Sequence, residues 1–377
     1  MTKETSRLTV LIFCLLIFGF ALATLLHAPR EFSETENRAL GQRPAFRWAD
    51  ALNGSFESAY ETFLTDQFVL RDRWIALKTS VERLALKRES KDVYFASDGY
   101  LIEKHTGVFE TELARQNAKA LAQFAAPASE TLAKGGLSII IVPNAVAILK
   151  DKLPPFAPPS NEHAYLIQLA KLLPEGVWFD AEAVLREHAD EALYYRTDHH
   201  WKPLAAFYVF QRWMEEQGRA CPELDSYEVS AVSNGFQGTI QSKLGIRTAG
   251  DTIELFQLRE PVAYTVQCDG RPAESLYDMA ALKTKDQYAF YLGGNHGFVH
   301  IETEANGDGK ILIIKDSYAN CLIPFLISAY REIDVIDLRY TRQRVGELIC
   351  AGGYTNVLVL YNAAGFAADT SLAKLAR

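Results

Sequence analysis

The sequence predicts an α/β protein built on a parallel sheet, and three observations carry that expectation. Short apolar runs at 137–142, 311–314, 333–338 and 357–361 have the length and the β-branched content of strands buried on both faces. Segments with apolar residues at three- and four-residue steps lie between them, and strand and helix in turn imply right-handed crossovers. The run Ile311-Leu312-Ile313-Ile314 also stops abruptly at Lys315-Asp316-Ser317-Tyr318. A buried strand that ends in a serine before a helix presents a hydroxyl at the carboxyl edge of the sheet, where open α/β folds hold their ligands.

A chain of 377 residues with 49% apolar and 23% charged residues suffices for one large domain or two modest ones. Its formal net charge of -8 offers no basic stripe for phosphates, so no nucleic-acid partner is expected. Residues 8–26 form a nearly continuous apolar stretch, enough to cross roughly 30 Å of hydrocarbon, and Lys3 and Arg7 precede it. The positive-inside bias then keeps the amino terminus in the cytoplasm and exports the rest. Ala21-Leu22-Ala23 also fits a signal-peptidase site, so a retained anchor and a cleaved signal are both open. Four cysteines, Cys221, Cys268, Cys321 and Cys350, follow the apolar stretch. Three pairings, or none, are compatible with their spacing. No C-x-x-C occurs, and no cofactor is expected.

The expected organisation is an apolar anchor at 1–27, a linker and amphipathic helical segment at 28–90, and an α/β domain at 91–377. Residues 55–88 carry apolar side chains at helical spacing, as one or two helices. Ser97-Asp98-Gly99 splits two short apolar runs as a hairpin turn would. A helix is expected over 111–134, stopped by Gly135-Gly136. The four prolines of 153–159 mark a loop. Helices near 161–173 and 181–188 flank a strand at 177–180, and Pro203 suits the first turn of another helix reaching about residue 217. From about 228 to 300 the texture changes to short alternating runs with glycines, which reads as a β-rich insertion.

The densest chemistry lies in Thr197-Asp198-His199-His200-Trp201. Asp198 and His200, two apart before a helix, are placed to meet on one side, and Ser317 supplies a hydroxyl. Serine, imidazole and carboxylate in series make an activated nucleophile, a base and a group that fixes the base's tautomer. Each has a plainer reading. Ser317 suits a helix cap, Asp198 a surface pair with Arg196, and His200 a satisfied core position. A metal site would recruit His199, His296 and His300. Adjacent residues rarely aim both side chains at one ion and no H-E-x-x-H is present, so none is expected.

Thr197-Asp198-His199-His200-Trp201 together with Lys315-Asp316-Ser317-Tyr318 resembles the DHHW family of exported bacterial proteins and, more distantly, the alginate O-acetyltransferase-like branch of the SGNH hydrolases. The likeness runs from Ser33-Glu34-Thr35-Glu36-Asn37-Arg38 to the last strand. It implies a flavodoxin-like SGNH-type sandwich, with Ser317, His200 and Asp198 as the catalytic triad. It further implies an exported, membrane-anchored O-acetyltransferase or esterase acting on an extracytoplasmic polysaccharide, with a membrane-bound O-acyltransferase as partner. The SGNH pattern adds oxyanion donors after the next two strands. One position falls on Asn362; the glycine position falls at Arg339-Tyr340, where Arg339 is the candidate for an anionic group. Tyr318 and His199 complete the candidate oxyanion or substrate contacts. A catalytically silent glycan-binding or scaffold subunit is the alternative that keeps the fold without turnover.

Overall fold

The structure, a computed structural model, describes residues 3–33, 38–305 and 309–376. Of the segment at 33–38 expected to share in the family likeness, Ser33 and Arg38 are described, and residues 34–37 lie outside the described residues. The chain divides into two compact units, one of residues 1–87 with 242–247 and one of residues 88–241 with 248–377.

The first unit contains the apolar helix Lys3–Leu26, in which an 18-residue stretch within Thr5–Leu26 has a mean hydropathy of 2.7 and is unburied. That is compatible with a signal anchor or a signal peptide. The amphipathic stretch forms two helices, Ser55–Asp66 and Arg71–Leu84.

The second unit is organised by an eight-stranded mixed sheet. Five strands run parallel in the spatial order Glu332–Ile336, Lys310–Lys315, Asn356–Asn362, Leu137–Val142, Trp178–Phe179. Leu137–Val142 and Asn356–Asn362 are buried at every position. Successive side chains of a strand point to opposite faces, and here the two faces feed two separate cores. Ile311, Ile313, Leu358 and Leu360 enter one, with Phe207, Phe210 and Trp213 of the helix Pro203–Glu216. Leu312, Ile314, Val357 and Val359 enter the other, with Leu121 and Phe124 of the helix Glu112–Thr131. Each fully buried side chain of this size contributes about 1.5 to 3 kcal/mol, so the serine strand is anchored from both sides.

The stretch at 228–300 is divided differently from the expectation. Tyr227–Phe236 and Asp251–Leu258 pair as a separate antiparallel ribbon. Tyr264–Cys268, Arg271–Ala273 and Phe298–Thr303 instead join the central sheet antiparallel, beside Glu332–Ile336. Alternating edge strands have the same texture in an appended ribbon and in an extended sheet, so the sequence cannot separate the two. The helix expected after Ser317 is a 3-10 turn, Ser317–Cys321, followed by the one-turn helix Ile323–Leu326. The five cysteines are all free.

Candidate functional site

The carboxyl ends of the parallel strands gather the site. Tyr194 and Trp201 form an isolated antiparallel bridge, and Lys202 N-H donates to the Leu193 carbonyl at 2.8 Å, so the Asp-His-His segment is a closed loop. Asp251 ties it from outside, accepting from the backbone N-H groups of Arg196 (2.9 Å) and Thr197 (2.8 Å) and from the Thr197 hydroxyl (2.6 Å). Two further bonds lace this loop to the serine turn across more than a hundred residues. Trp201 Nε1 donates to the Tyr318 carbonyl at 2.8 Å, and the Tyr318 hydroxyl donates to the His199 carbonyl at 2.5 Å.

Within that frame three side chains line up. Ser317 Oγ lies 2.8 Å from His200 Nε2, and His200 Nδ1 lies 2.5 Å from Asp198 Oδ1. The same carboxylate oxygen accepts the His200 backbone N-H at 3.0 Å. Asp198 Oδ2 accepts from the backbone N-H (2.8 Å) and the hydroxyl (3.0 Å) of Thr239. Tyr288 lies flat on the His200 ring, centroids 3.6 Å apart and planes 11° from parallel, and its hydroxyl donates to the Ser317 carbonyl at 3.0 Å. Asp198 and His200 are buried, whereas Ser317 is half-buried, as a group that meets a ligand must be.

The electrostatics follow from these contacts. Burial alone would raise the Asp198 carboxyl, but the imidazoles of His199 and His200 and the bonds from His200 and Thr239 outweigh it and hold the group well below the usual carboxylate range. Burial, with His199 alongside, lowers His200 to about 4, against the pull of Asp198. At neutral pH the ring is therefore uncharged. With Nδ1-H donated to the carboxylate, Nε2 holds its lone pair toward the Ser317 hydroxyl, the arrangement a general base requires.

The other candidates occupy different places. Asn362 is buried and caps the helix Ala363–Ala368, its Oδ1 accepting from Gly365 N-H at 2.7 Å. Its Nδ2 donates to Asp316 Oδ2 at 2.6 Å. Arg339 grips the buried Asp337 through Nε (2.9 Å) and Nη2 (2.6 Å) and remains partly exposed. Tyr318 is fully buried, its backbone N-H donating to Asp316 Oδ1 at 2.9 Å. His199 is about a third exposed and meets the Thr239 hydroxyl through Nδ1 at 2.8 Å. The Ser317 N-H opens the 3-10 turn and makes no hydrogen bond among the described residues. It is therefore free to donate to an oxyanion.

Asp198, His199 and His200 could offer metal-ligand atoms within 4.8 Å of one another. Both Nδ1 atoms and both carboxylate oxygens already hold hydrogen bonds. His296 and His300 stand apart from this group, paired with Asp269 and Asp334. A cavity of about 760 Å³ is lined by Phe256, Tyr264, Tyr277, Leu292 and Ile327, and neither Ser317 nor His200 borders it.

Several residues at the site escape sequence reasoning. Tyr288 and Thr239 lie in stretches without any chemical pattern, and Gly238 is one glycine among many. A Cβ at Gly238 would fall 2.2 Å from the Asp198 Cβ, so only glycine lets the Thr239 corner close on the carboxylate. Asn144, just beyond the strand Leu137–Val142, donates from Nδ2 to Asn362 Oδ1 at 3.1 Å and from its backbone N-H to Glu162 Oε1 at 2.5 Å. The Pro143-Asn144 break in the apolar run was its one visible signal.

Fold and site together define an α/β protein with serine, histidine and aspartate hydrogen-bonded in series at the carboxyl edge of its parallel strands. The chain belongs to the DHHW protein family, whose sequence profile matches residues 134–336, more than half of its length. It is similar in structure to a DHHW family protein from Eubacterium siraeum, at 23% identity over 76% of this chain and 95% of that one, with a TM-score of 0.59. PatB1 from Bacillus cereus, solved with a sulfonyl adduct, aligns over 76% of this chain and all of its own at 19% identity and a TM-score of 0.58. These likenesses establish a shared fold. A comparison with curated proteins gives no match.

Proposed function

We propose that this chain is a Ser-His-Asp O-acyltransferase, acetyl being the expected group, that acts on an extracytoplasmic polysaccharide from a membrane anchor. The observation that carries the reading is the unbroken series from Ser317 Oγ through His200 to Asp198, with spacings of 2.8 and 2.5 Å. A capping serine or a core histidine has no need of that alignment. Ser317 attacks the acyl carbonyl as His200 takes its proton, and the leaving group receives that proton from His200. Asp198 holds the imidazole in the required tautomer and stabilises its charged form. The Ser317 N-H is the first oxyanion donor, and the exposed side of Arg339 faces an anionic group. The acyl-enzyme then passes its acyl group to a sugar hydroxyl, or to water in an esterase.

Membership of the DHHW family and the PatB1 likeness support this reading, and the apolar helix Lys3–Leu26 supports export and anchoring. The test is turnover of p-nitrophenyl acetate by the full chain in detergent, together with mass spectrometry after reaction with a sulfonyl fluoride. Release of p-nitrophenol is expected to be lost in Ser317→Ala and in His200→Ala, and the sulfonyl group to map to Ser317. Equal turnover by wild type and Ser317→Ala would refute catalysis by this serine and leave a binding or scaffold protein.

A further inference from the structure

We propose that His199 binds a second hydroxyl of the acyl acceptor, so that the site selects acceptors with neighbouring hydroxyl groups. The inference rests on the acyl-transfer reading above and assigns its acceptor class.

Proton counting fixes the tautomer of His199. Thr239 Oγ1 lies 3.0 Å from Asp198 Oδ2 and 2.8 Å from His199 Nδ1. An ionised carboxylate only accepts, and a hydroxyl has a single proton. The Thr239 proton therefore goes to Asp198, and His199 Nδ1 must carry the hydrogen that Thr239 accepts. In the uncharged form of the ring the lone pair is then on Nε2, which has no partner among the described residues.

Geometry places that lone pair beside the reacting one. Both Nδ1 atoms face the same carboxylate oxygen, His200 at 2.5 Å and His199 at 3.7 Å. The two rings meet face against face at a tilt, centroids 3.9 Å apart and planes 36° from parallel. In an imidazole the two nitrogens flank Cε1 and point in divergent directions, so with each Nδ1 turned to Asp198 and the rings in contact, the Nε2 of each ring is directed away from Asp198. One meets Ser317 Oγ; the other opens from a ring that is about a third exposed.

In the transfer step the attacking oxygen bonds to the acyl carbon while its proton passes to His200 Nε2. The bond from Ser317 Oγ to that carbon breaks, and Ser317 Oγ takes the proton. The attacking hydroxyl has no proton left for His199, but an adjacent hydroxyl of the same acceptor does. It donates to His199 Nε2 without transferring the proton. A vicinal diol of a sugar fills both positions, whereas a simple alcohol has a single hydrogen to give and fills only one.

The experiment acetylates the full chain in detergent with p-nitrophenyl acetate. It then compares ethylene glycol with ethanol as acceptor at equal hydroxyl concentration, reading acetyl ester against acetate by NMR. Wild type is expected to favour the diol by about fivefold, the size of one neutral hydrogen bond. His199→Phe, which keeps a ring beside His200, is expected to bring that ratio near one. Thr239→Val should lower it, and Thr239→Ser should restore it. The ratio is internal to each variant, so loss of folded protein cancels. An undiminished preference in His199→Phe, or none in wild type, overturns the proposal while leaving acyl transfer intact. Failure of wild type to acetylate at Ser317 overturns the functional reading and this inference with it.

Discussion

The side-chain amide of Asn362 lies 2.6 Å from Asp316 Oδ2, and the Asn362 backbone N-H meets the same oxygen at 2.9 Å. The residue thus braces the buried carboxylate next to the nucleophile, while its Oδ1 caps the helix Ala363–Ala368. Burial raises Asp316 to about 6 against the bonds from Asn362 and Tyr318. Removing this amide leaves a buried acceptor short of a partner. Asn362→Ala is expected to lose about 2 to 4 kcal/mol, the sum of a helix cap and one hydrogen bond to a buried carboxylate. Urea denaturation measures it, and a loss below about 0.5 kcal/mol would show that Asp316 does not depend on the brace.

Catalysis should persist well into acid. His200 must be uncharged to accept the serine proton, and burial holds its pKa down to about 4. The kcat/KM profile for p-nitrophenyl acetate is therefore expected to be flat from neutral pH to about 5 and to fall as pH drops through about 4. Asp198→Asn removes the group that fixes the ring's tautomer, with an expected loss on the order of a thousandfold or more in kcat. A limb near 6.5, where an unperturbed histidine titrates, would show that His200 is not shielded as described.

The Tyr288 ring and its hydroxyl do separable jobs. Tyr288→Phe keeps the ring on His200 and loses the hydroxyl's contacts with the Ser317 carbonyl and the Cys321 thiol, an expected cost of about 1 kcal/mol. Tyr288→Ala removes a buried aromatic, about 3 to 5 kcal/mol, and frees one face of the imidazole. Thermal melts and kcat measured together check the order, with the phenylalanine variant the milder in both.

What the sequence disclosed follows from how each feature is encoded. Buried parallel strands are written as apolar runs, so Leu137–Val142 was legible residue by residue and the serine strand all but its flanking lysines. Asp198, His200 and Ser317 were legible because their residue types are informative and the loops that carry them are short. Thr239 and Tyr288 were not, because a threonine hydroxyl on Asp198 and a tyrosine face on His200 are products of tertiary placement alone. The stretch at 228–300 read only as a β-rich insertion, because the edge pairing that joins Tyr264–Cys268 and Phe298–Thr303 to the central sheet leaves no local mark.

Glu162 is fully buried, and its Oε1 accepts the Asn144 N-H at 2.5 Å while Oε2 has no partner among the described residues. Burial raises it to about 8, only partly countered by that N-H. The folded pKa is above the unfolded one, so between roughly pH 4.5 and 8 the native state binds the extra proton. Its contribution to stability is complete below that window and declines as pH rises through it, by about 1.4 kcal/mol per pH unit at most. Glu162→Gln keeps an acceptor for Asn144 and cannot ionise. The difference in unfolding free energy between wild type and Glu162→Gln is therefore expected to shift against wild type from pH 5 to pH 8. Using the difference cancels His200 and Asp316, which titrate in the acid part of the same range. Denaturation curves at pH 5, 6.5 and 8 measure it; a difference constant across the three would mean that Glu162 is ionised in the folded protein and has a partner at Oε2.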